Sequence, residues 1–259
     1  MSDSLSVRLG ERIRETRLAL MMLTRLPAGS FPLPPPPMTA ARWAFPLTGL
    51  PVGLIGWAVL AGGSALGLAS LAAGILVLIA MALATGGLHH DGLADFIDGL
   101  GGRDRARRLE IMRDSRLGTF GAAALFLVLL LKVAALSQLP FMLALAALPV
   151  AHGASRLSAV TVIATSRYAR AEGIAKPVAK GIGAAPLMVA TLTGIAAVAI
   201  GATVLGPGAV LCGLAGLCVG HVTTRLLFER KLGGYTGDCL GAVQQISEVG
   251  FYLGLIAWL

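Results

Sequence analysis

Seven stretches of this chain stay apolar for about the 20 residues that an α-helix needs to cross some 30 Å of hydrocarbon. They fall near 43–63, 67–88, 118–138, 141–164, 184–204, 208–228 and 243–259. The last is the least regular, because Glu248 lies inside it. Residues 8–26 follow another pattern. Arg8, Arg12, Arg14 and Arg17 alternate with Leu9, Ile13, Leu18, Leu20 and Met21, which predicts an amphipathic helix lying on a membrane surface. A signal peptide would instead place its basic residues ahead of one short apolar run. Between the two patterns the tract Phe31 to Pro37 carries five prolines and reads as a stiff extended linker. The predicted architecture is all-α: a cytoplasmic amphipathic arm and proline-rich linker at 1–42, then one polytopic transmembrane domain of about seven helices at 43–259.

Composition removes the competing classes. Of 259 residues 56% are hydrophobic and 13% charged, which excludes an ordinary soluble domain and disorder over most of the length. The 34 glycines and 13 prolines are scattered through apolar stretches, where intramembrane helices tolerate them. A net charge of +8 could serve nucleic acid, but no basic domain stands apart from the apolar segments, so no nucleic-acid partner is expected. Membrane lipid and phosphate-bearing ligands account for it better. Of the 21 basic residues, 18 lie in the N-terminal arm and in the connections 89–117, 165–183 and 229–242. The connections near 64–66, 139–140 and 205–207 carry none. The asymmetry predicts a cytoplasmic N-terminus, an outside C-terminus and any chemistry on the cytoplasmic face. Lys132, Arg156 and Arg225 fall within spans and must snorkel, pair or line a cavity. Cys212, Cys218 and Cys239 form neither a paired framework nor a C-x-x-C and read as structural.

The acidic residues change the picture more than the basic ones. None occurs between Glu15 and Asp91, and then six fall within 91–114. Asp104 and Glu110 alternate with arginines, as on any solvated helical turn. Asp91, Asp95 and Asp98 stand at i, i+4 and i+7, within roughly 60° of one helical face. Three like charges there repel unless protons or a cation neutralise them, and oxygen ligands of this kind suit hard divalent ions such as Mg²⁺. Gly92 and Gly99 let another backbone or a bulky substrate approach that stripe. Asp114 lies beyond the arginine-rich connection and is placed to return toward it. His89 and His90 point to different helix sides, so at most one joins; a His–Asp zinc site is the weaker alternative. Arg230 to Asp238 is a glycine-rich loop whose backbone N–H groups suit phosphate, but its spacing is not that of a P-loop.

The run Gly86-Gly87-Leu88-His89-His90-Asp91-Gly92-Leu93-Ala94-Asp95-Phe96-Ile97-Asp98-Gly99, with Leu109 to Gly118 after it, closely resembles the cobalamin synthase family, the adenosylcobinamide-GDP ribazoletransferases. The resemblance extends to Thr24-Arg25-Leu26-Pro27, to Arg167-Tyr168-Ala169-Arg170 with Glu172-Gly173, and to Gly234, Thr236-Gly237-Asp238 and Leu240-Gly241-Ala242. It implies a multi-pass enzyme of the bacterial cytoplasmic (inner) membrane that joins adenosylcobinamide-GDP to α-ribazole or its 5′-phosphate and releases GMP. Mg²⁺ is the implied cofactor, with Mn²⁺ as a candidate substitute. A second copy of the chain or other cobalamin-assembly enzymes are the candidate protein partners.

Attack of a ribose hydroxyl on a pyrophosphate ester depends mostly on charge neutralisation and alignment. The expected metal ligands are Asp91, Asp95 and Asp98, with help from Asp114. Arg113 and Arg116 suit phosphate oxygens through bidentate guanidinium contacts, and Ser115, Gly234, Thr236, Gly237 and Asp238 complete the expected substrate-binding set. The general base is left open among Asp98, Asp114 and His89. The rival from another class is an ion-coupled transporter, but such proteins place their carboxylates near the bilayer midplane between inverted repeats. Here the stripe lies at a predicted membrane edge and no repeat is evident.

Overall fold

The structure is a computed structural model and describes residues 2–31, 36–114, 116–170, 173, 176–179 and 182–259. Most of the proline tract therefore lies outside the described residues. The helices, in order, are α1 (Ser2–Leu23), α2 (Phe45–Ala65), α3 (Ser70–Thr85), α4 (Leu88–Gly99), α5 (Arg105–Ile111), α6 (Thr119–Gln138), α7 (Phe141–Thr165), α8 (Ala184–Leu205), α9 (Pro207–Leu232) and α10 (Gly237–Trp258). A 3-10 turn, Met38–Ala44, runs directly into α2. Among the described residues there is no strand beyond one isolated bridge between Tyr168 and Tyr235.

Among the described residues six helices are long and apolar enough to cross a membrane: α2 with its 3-10 turn, α6, α7, α8, α9 and α10. A seventh crossing exists if α3 and α4 count as one broken span, for they meet at 92°. The second span thus departs from its predicted extent of 67–88. Gly86 and Gly87 both take left-handed backbone, with φ of 62° and 71°, and a right-handed helix cannot continue through them. The 16 residues of α3 rise only about 24 Å, and the 12-residue α4 with its three aspartates is a polar limb outside the crossing segments. The last span begins earlier than predicted, at Gly237, which puts Glu248 in the middle of α10.

Two apolar clusters hold the bundle. One joins α2, α3, α6, α7 and α10 around Val52, Val77, Leu148 and Phe251. The other lies beneath α4 around Phe96, Phe228, Tyr235 and Val243. Leu18 and Ala19 of α1 are buried in the second cluster, so α1 is docked on the bundle as well as amphipathic. Its Glu15 accepts a hydrogen bond from the Trp43 indole N–H at 2.6 Å, while Val7, Leu9 and Ile13 stay exposed, as on a helix that lies in a membrane surface.

Of the three basic residues expected inside spans, Lys132 and Arg225 are paired with carboxylates, and Arg156 is held by His152 of its own helix. Lys132 of α6, 2% exposed at its side chain, lies 2.9 Å from the fully buried Glu248 of α10 and donates to Gln245 at 2.8 Å. Gln244 donates to the same carboxylate at 2.9 Å, and His152 of α7 approaches it at 3.4 Å. Arg156, one turn further along α7, meets the His152 ring nitrogen and carbonyl, each at 3.0 Å. Arg225 of α9 pairs with Glu229 at 2.9 Å and donates to Thr165 at 2.8 Å. In an apolar bundle such links tie α6, α7 and α10 together, and removing one partner strands a buried charge.

Candidate active site

The turn at Gly86–Gly87 sends α4 across the end of the bundle. Gly92 lies against the start of α10, where an added Cβ would come within 3.0 Å of the Asp238 carbonyl oxygen. Gly241 faces it in turn, 3.1 Å from the Gly92 Cα by the same measure. This glycine-to-glycine approach brings the aspartate stripe of α4 beside Asp238 of α10. Asp91 is exposed, and Asp95 and Asp98 are half-buried. Burial, and then the charges of Asp91, Asp238 and Asp98, push the Asp95 carboxyl up to about 7, with Arg170 acting the other way.

The three stripe residues have different partners. Asp98 accepts backbone N–H bonds from Gly118 and Gly121, both at 2.8 Å, and so satisfies the exposed donors at the start of α6. The carboxylates of Asp91 and Asp95 have no hydrogen bond or ion pair to any described residue. Asp238 pairs with Arg170 at 3.0 Å and accepts from the Thr236 hydroxyl at 3.2 Å.

The three basic connections converge on this end. Tyr235 N–H donates to the Arg167 carbonyl and Ala169 N–H to the Tyr235 carbonyl, each at 2.8 Å. Gly234 permits that approach, since a Cβ there would meet the Arg167 carbonyl oxygen. Arg105 of α5 bonds the carbonyls of Leu232 and Ala169, both at 2.6 Å. Residues of 89–117, 165–183 and 229–242 are therefore in direct contact, as segments on one side of a membrane can be.

Other expected site residues lie elsewhere. Asp114 is held by Arg116, whose guanidinium bonds it at 2.6 to 3.1 Å; that contact lowers the Asp114 carboxyl to about 2. The pair is solvated, with the Arg116 side chain 88% exposed. Arg113 is exposed, and its charge acts on Tyr168 beside the Arg170 loop. His89 is buried and, with His90, lines the small interior cavity that also holds Lys132, His152 and Glu248; it points away from the stripe. Gly237 is the first residue of α10, and Thr236 caps that helix by accepting from Cys239 N–H at 3.3 Å. Ser115 lies outside the described residues. Arg170 was missed as a site residue although it stood in one of the family-like motifs; its pairing with Asp238 depends on a contact between two distant connections.

A sequence model described as cobalamin-5-phosphate synthase matches residues 15–256. The chain belongs to that family. It is 40% identical over 256 residues to the adenosylcobinamide-GDP ribazoletransferase of Azorhizobium caulinodans, covering 93% of this chain and 94% of the relative. The proteins of the same name from Mesorhizobium japonicum and Bradyrhizobium diazoefficiens are 41% and 40% identical, with at least 91% of either chain covered. No solved structure matches. Membership covers the whole membrane domain, so the α4 stripe and the loops around it lie within the family's shared portion.

A hard divalent cation suits the donors present. The stripe and Asp238 offer only oxygen, and Asp95 is raised first by burial and then by the negative charge of its neighbours. Among the described residues no three His, Cys, Asp or Glu side chains converge closely enough to enclose a metal. An open site of one or two carboxylates completed by substrate phosphate is the usual arrangement for Mg²⁺.

Proposed function

We propose that this chain is an integral membrane transferase that joins adenosylcobinamide-GDP to α-ribazole or α-ribazole 5′-phosphate and releases GMP, with Mg²⁺ required. The observation that carries the reading is the pair of unpartnered carboxylates, Asp91 and Asp95, placed at the end of the bundle where three basic connections meet, in a chain of this family. GMP departs with one phosphate. The acceptor hydroxyl must therefore attack the phosphorus on the cobinamide side, forming one P–O bond as the P–O bond to GMP breaks.

Since both Asp98 oxygens are bonded to the start of α6, Asp91 and Asp95 would hold the cation. When bound, it supplies charge neutralisation along the diphosphate. The chain's own part is alignment and proton handling. Arg170, paired with Asp238 next to the stripe, and Arg113, whose charge acts on Tyr168 of the same loop, would be the cations for phosphate oxygens. Asp91 and Asp95 are the nearest free carboxylates for the hydroxyl proton, because Asp98 is bonded to α6, Asp114 to Arg116, and His89 faces the interior. The contact among the basic connections supports one shared side for all of them, which we assign to the cytoplasm on the positive-inside bias, with the protein in the bacterial inner membrane.

Purified protein in lipid, supplied with adenosylcobinamide-GDP, α-ribazole 5′-phosphate and Mg²⁺, should release GMP. Chelation should stop the release. No GMP from either acceptor would overturn the assignment. A single cysteine introduced at position 104 should label only from the cytoplasmic side, and periplasmic labelling would reverse the topology.

A further inference from the structure

A cavity of about 620 Å³ opens between the end of α1, the Gly86–Gly87 bend and α6. Its two charged residues are Arg25 and Asp91. Neither side chain has a hydrogen bond or ion pair to a described residue. The other walls mix apolar side chains, Met21, Met22, Leu88 and Leu125 among them, with Thr24, Thr85 and the Gly86–Gly87 backbone. Arg25 is held by its backbone. Its N–H donates to the Ala84 carbonyl at 2.7 Å, and Thr24 before it bonds back to Leu20 at 2.7 Å and accepts from Leu26 N–H at 3.2 Å. The side chain then lies across Gly86, where an added Cβ would stand 2.5 Å from the Arg25 Nε. Gly86 thus serves both the bend and the path of the guanidinium.

An anchored, unpaired guanidinium at one wall, a free carboxylate at another and methionine and leucine between them define a ligand. It carries an anion matched to a planar fork of donors, a flat apolar group, and a hydroxyl able to reach a carboxylate. The volume is within the range of sites for small ligands, roughly 300–1,000 Å³. The corrinoid donor is too large for such a space, and its diphosphate would be met by Arg170, which pairs with Asp238 outside this cavity.

Resting on the transferase reading above, we propose that this cavity is the acceptor site: Arg25 binds the phosphate of a 5′-phosphorylated ribazole, the α1 and α6 side chains hold its aromatic base, and the ribose hydroxyl is presented to Asp91. Arg25 is then the residue that selects the phosphorylated acceptor over the free nucleoside.

Equilibrium binding of radiolabelled α-ribazole 5′-phosphate and of α-ribazole to the full chain in nanodiscs, without the corrinoid donor, tests this independently of turnover. Arg25→Ala should weaken the phosphorylated ligand at least tenfold and the free nucleoside less than twofold. Arg25→Lys should retain part of the preference, and Leu125→Trp, which fills the apolar part, should weaken both ligands. Equal losses of the two ligands in Arg25→Ala, or no binding of either by the wild type, would overturn the proposal. So would displacement of the phosphorylated ligand when phosphatidylglycerol replaces part of the phosphatidylcholine, since the cavity would then take a lipid headgroup. GMP release is followed in parallel. Its absence beside Arg25-dependent binding counts against the transferase reading while the cavity assignment stands.

Discussion

Glu248 and Asp91 are both carboxylates on helices of a largely apolar bundle, and their surroundings are opposite. Glu248 is fully buried, lies 2.9 Å from Lys132 and accepts from Gln244, with His152 close by. The Asp91 side chain is exposed and has no partner among the described residues, and its neighbour Asp95 is half-buried within reach of the charges of Asp91, Asp238 and Asp98. A charge placed inside a bilayer must be matched by the protein. A charge at the edge can be left unmatched, with solvent and small ions offsetting it until a ligand arrives. The interior cluster therefore joins helices, and the edge cluster is available for chemistry. Substitutions in the two places should fail in different assays.

The largest effect is expected at the edge. Asp91→Asn and Asp95→Asn should each lower GMP release by about a hundredfold or more, because charge stabilisation in the transition state is lost, while the protein inserts and melts like the wild type. Full turnover of Asp91→Asn at saturating Mg²⁺ would make the stripe a structural face.

The interior should behave the other way. Glu248→Ala strands Lys132 in the bundle and should cost about 3–5 kcal/mol of stability, read as a lower melting temperature in detergent. Replacing both partners, Lys132→Met with Glu248→Leu, should recover most of that loss. A double variant no more stable than the single one would mean that the cluster has a function beyond joining helices.

The edge should also respond to pH in a way the interior does not. Asp95 titrates near 7 when no cation is bound, and a cation must displace its proton. The apparent affinity for Mg²⁺ should weaken by up to about tenfold per pH unit below that value, and saturating Mg²⁺ should move the midpoint of activity downward. Mg²⁺ titrations between pH 5.5 and 8 check this, and an affinity independent of pH would remove Asp95 from the metal site.

The smallest effect separates two neighbouring arginines. Arg113→Lys should lower kcat by roughly five- to tenfold, because guanidinium and ammonium differ at a phosphate. Arg116 is solvated and bound to Asp114, so Arg116→Lys should change turnover by less than about twofold, as expected of an exposed ion pair. Steady-state kinetics on both variants decide the point. Equal losses would bring Arg116 back to the substrate.

Some of the site was legible before the fold. The i, i+4 relation of Asp91 and Asp95 is a local property of helix geometry, and the small residue between them, Gly92, does permit a close backbone approach. The fate of Asp98 was not legible, because it depends on the first N–H groups of α6, 20 residues away in the chain. Lys132 was recognisable as a residue that needed a partner, and Glu248 as a charge out of place in a span. Only the packing of α6 on α10 joined them.

The sequence by itself determined the class of the molecule: apolar runs of spanning length, basic residues confined to alternate connections, and an aspartate stripe on one helical face. Each of these is set by composition or by short-range periodicity, which act wherever the chain is placed. Tertiary structure decided which charges are paired and which are free. It turned the predicted second span through 92° at two glycines, carried His89 inward and bound Asp114 to Arg116. It also brought Arg25, Asp91, Asp238 and Arg170 to one end of the bundle from four separate segments. Pairing is a property of distance between side chains far apart in the chain, and packing alone sets that distance.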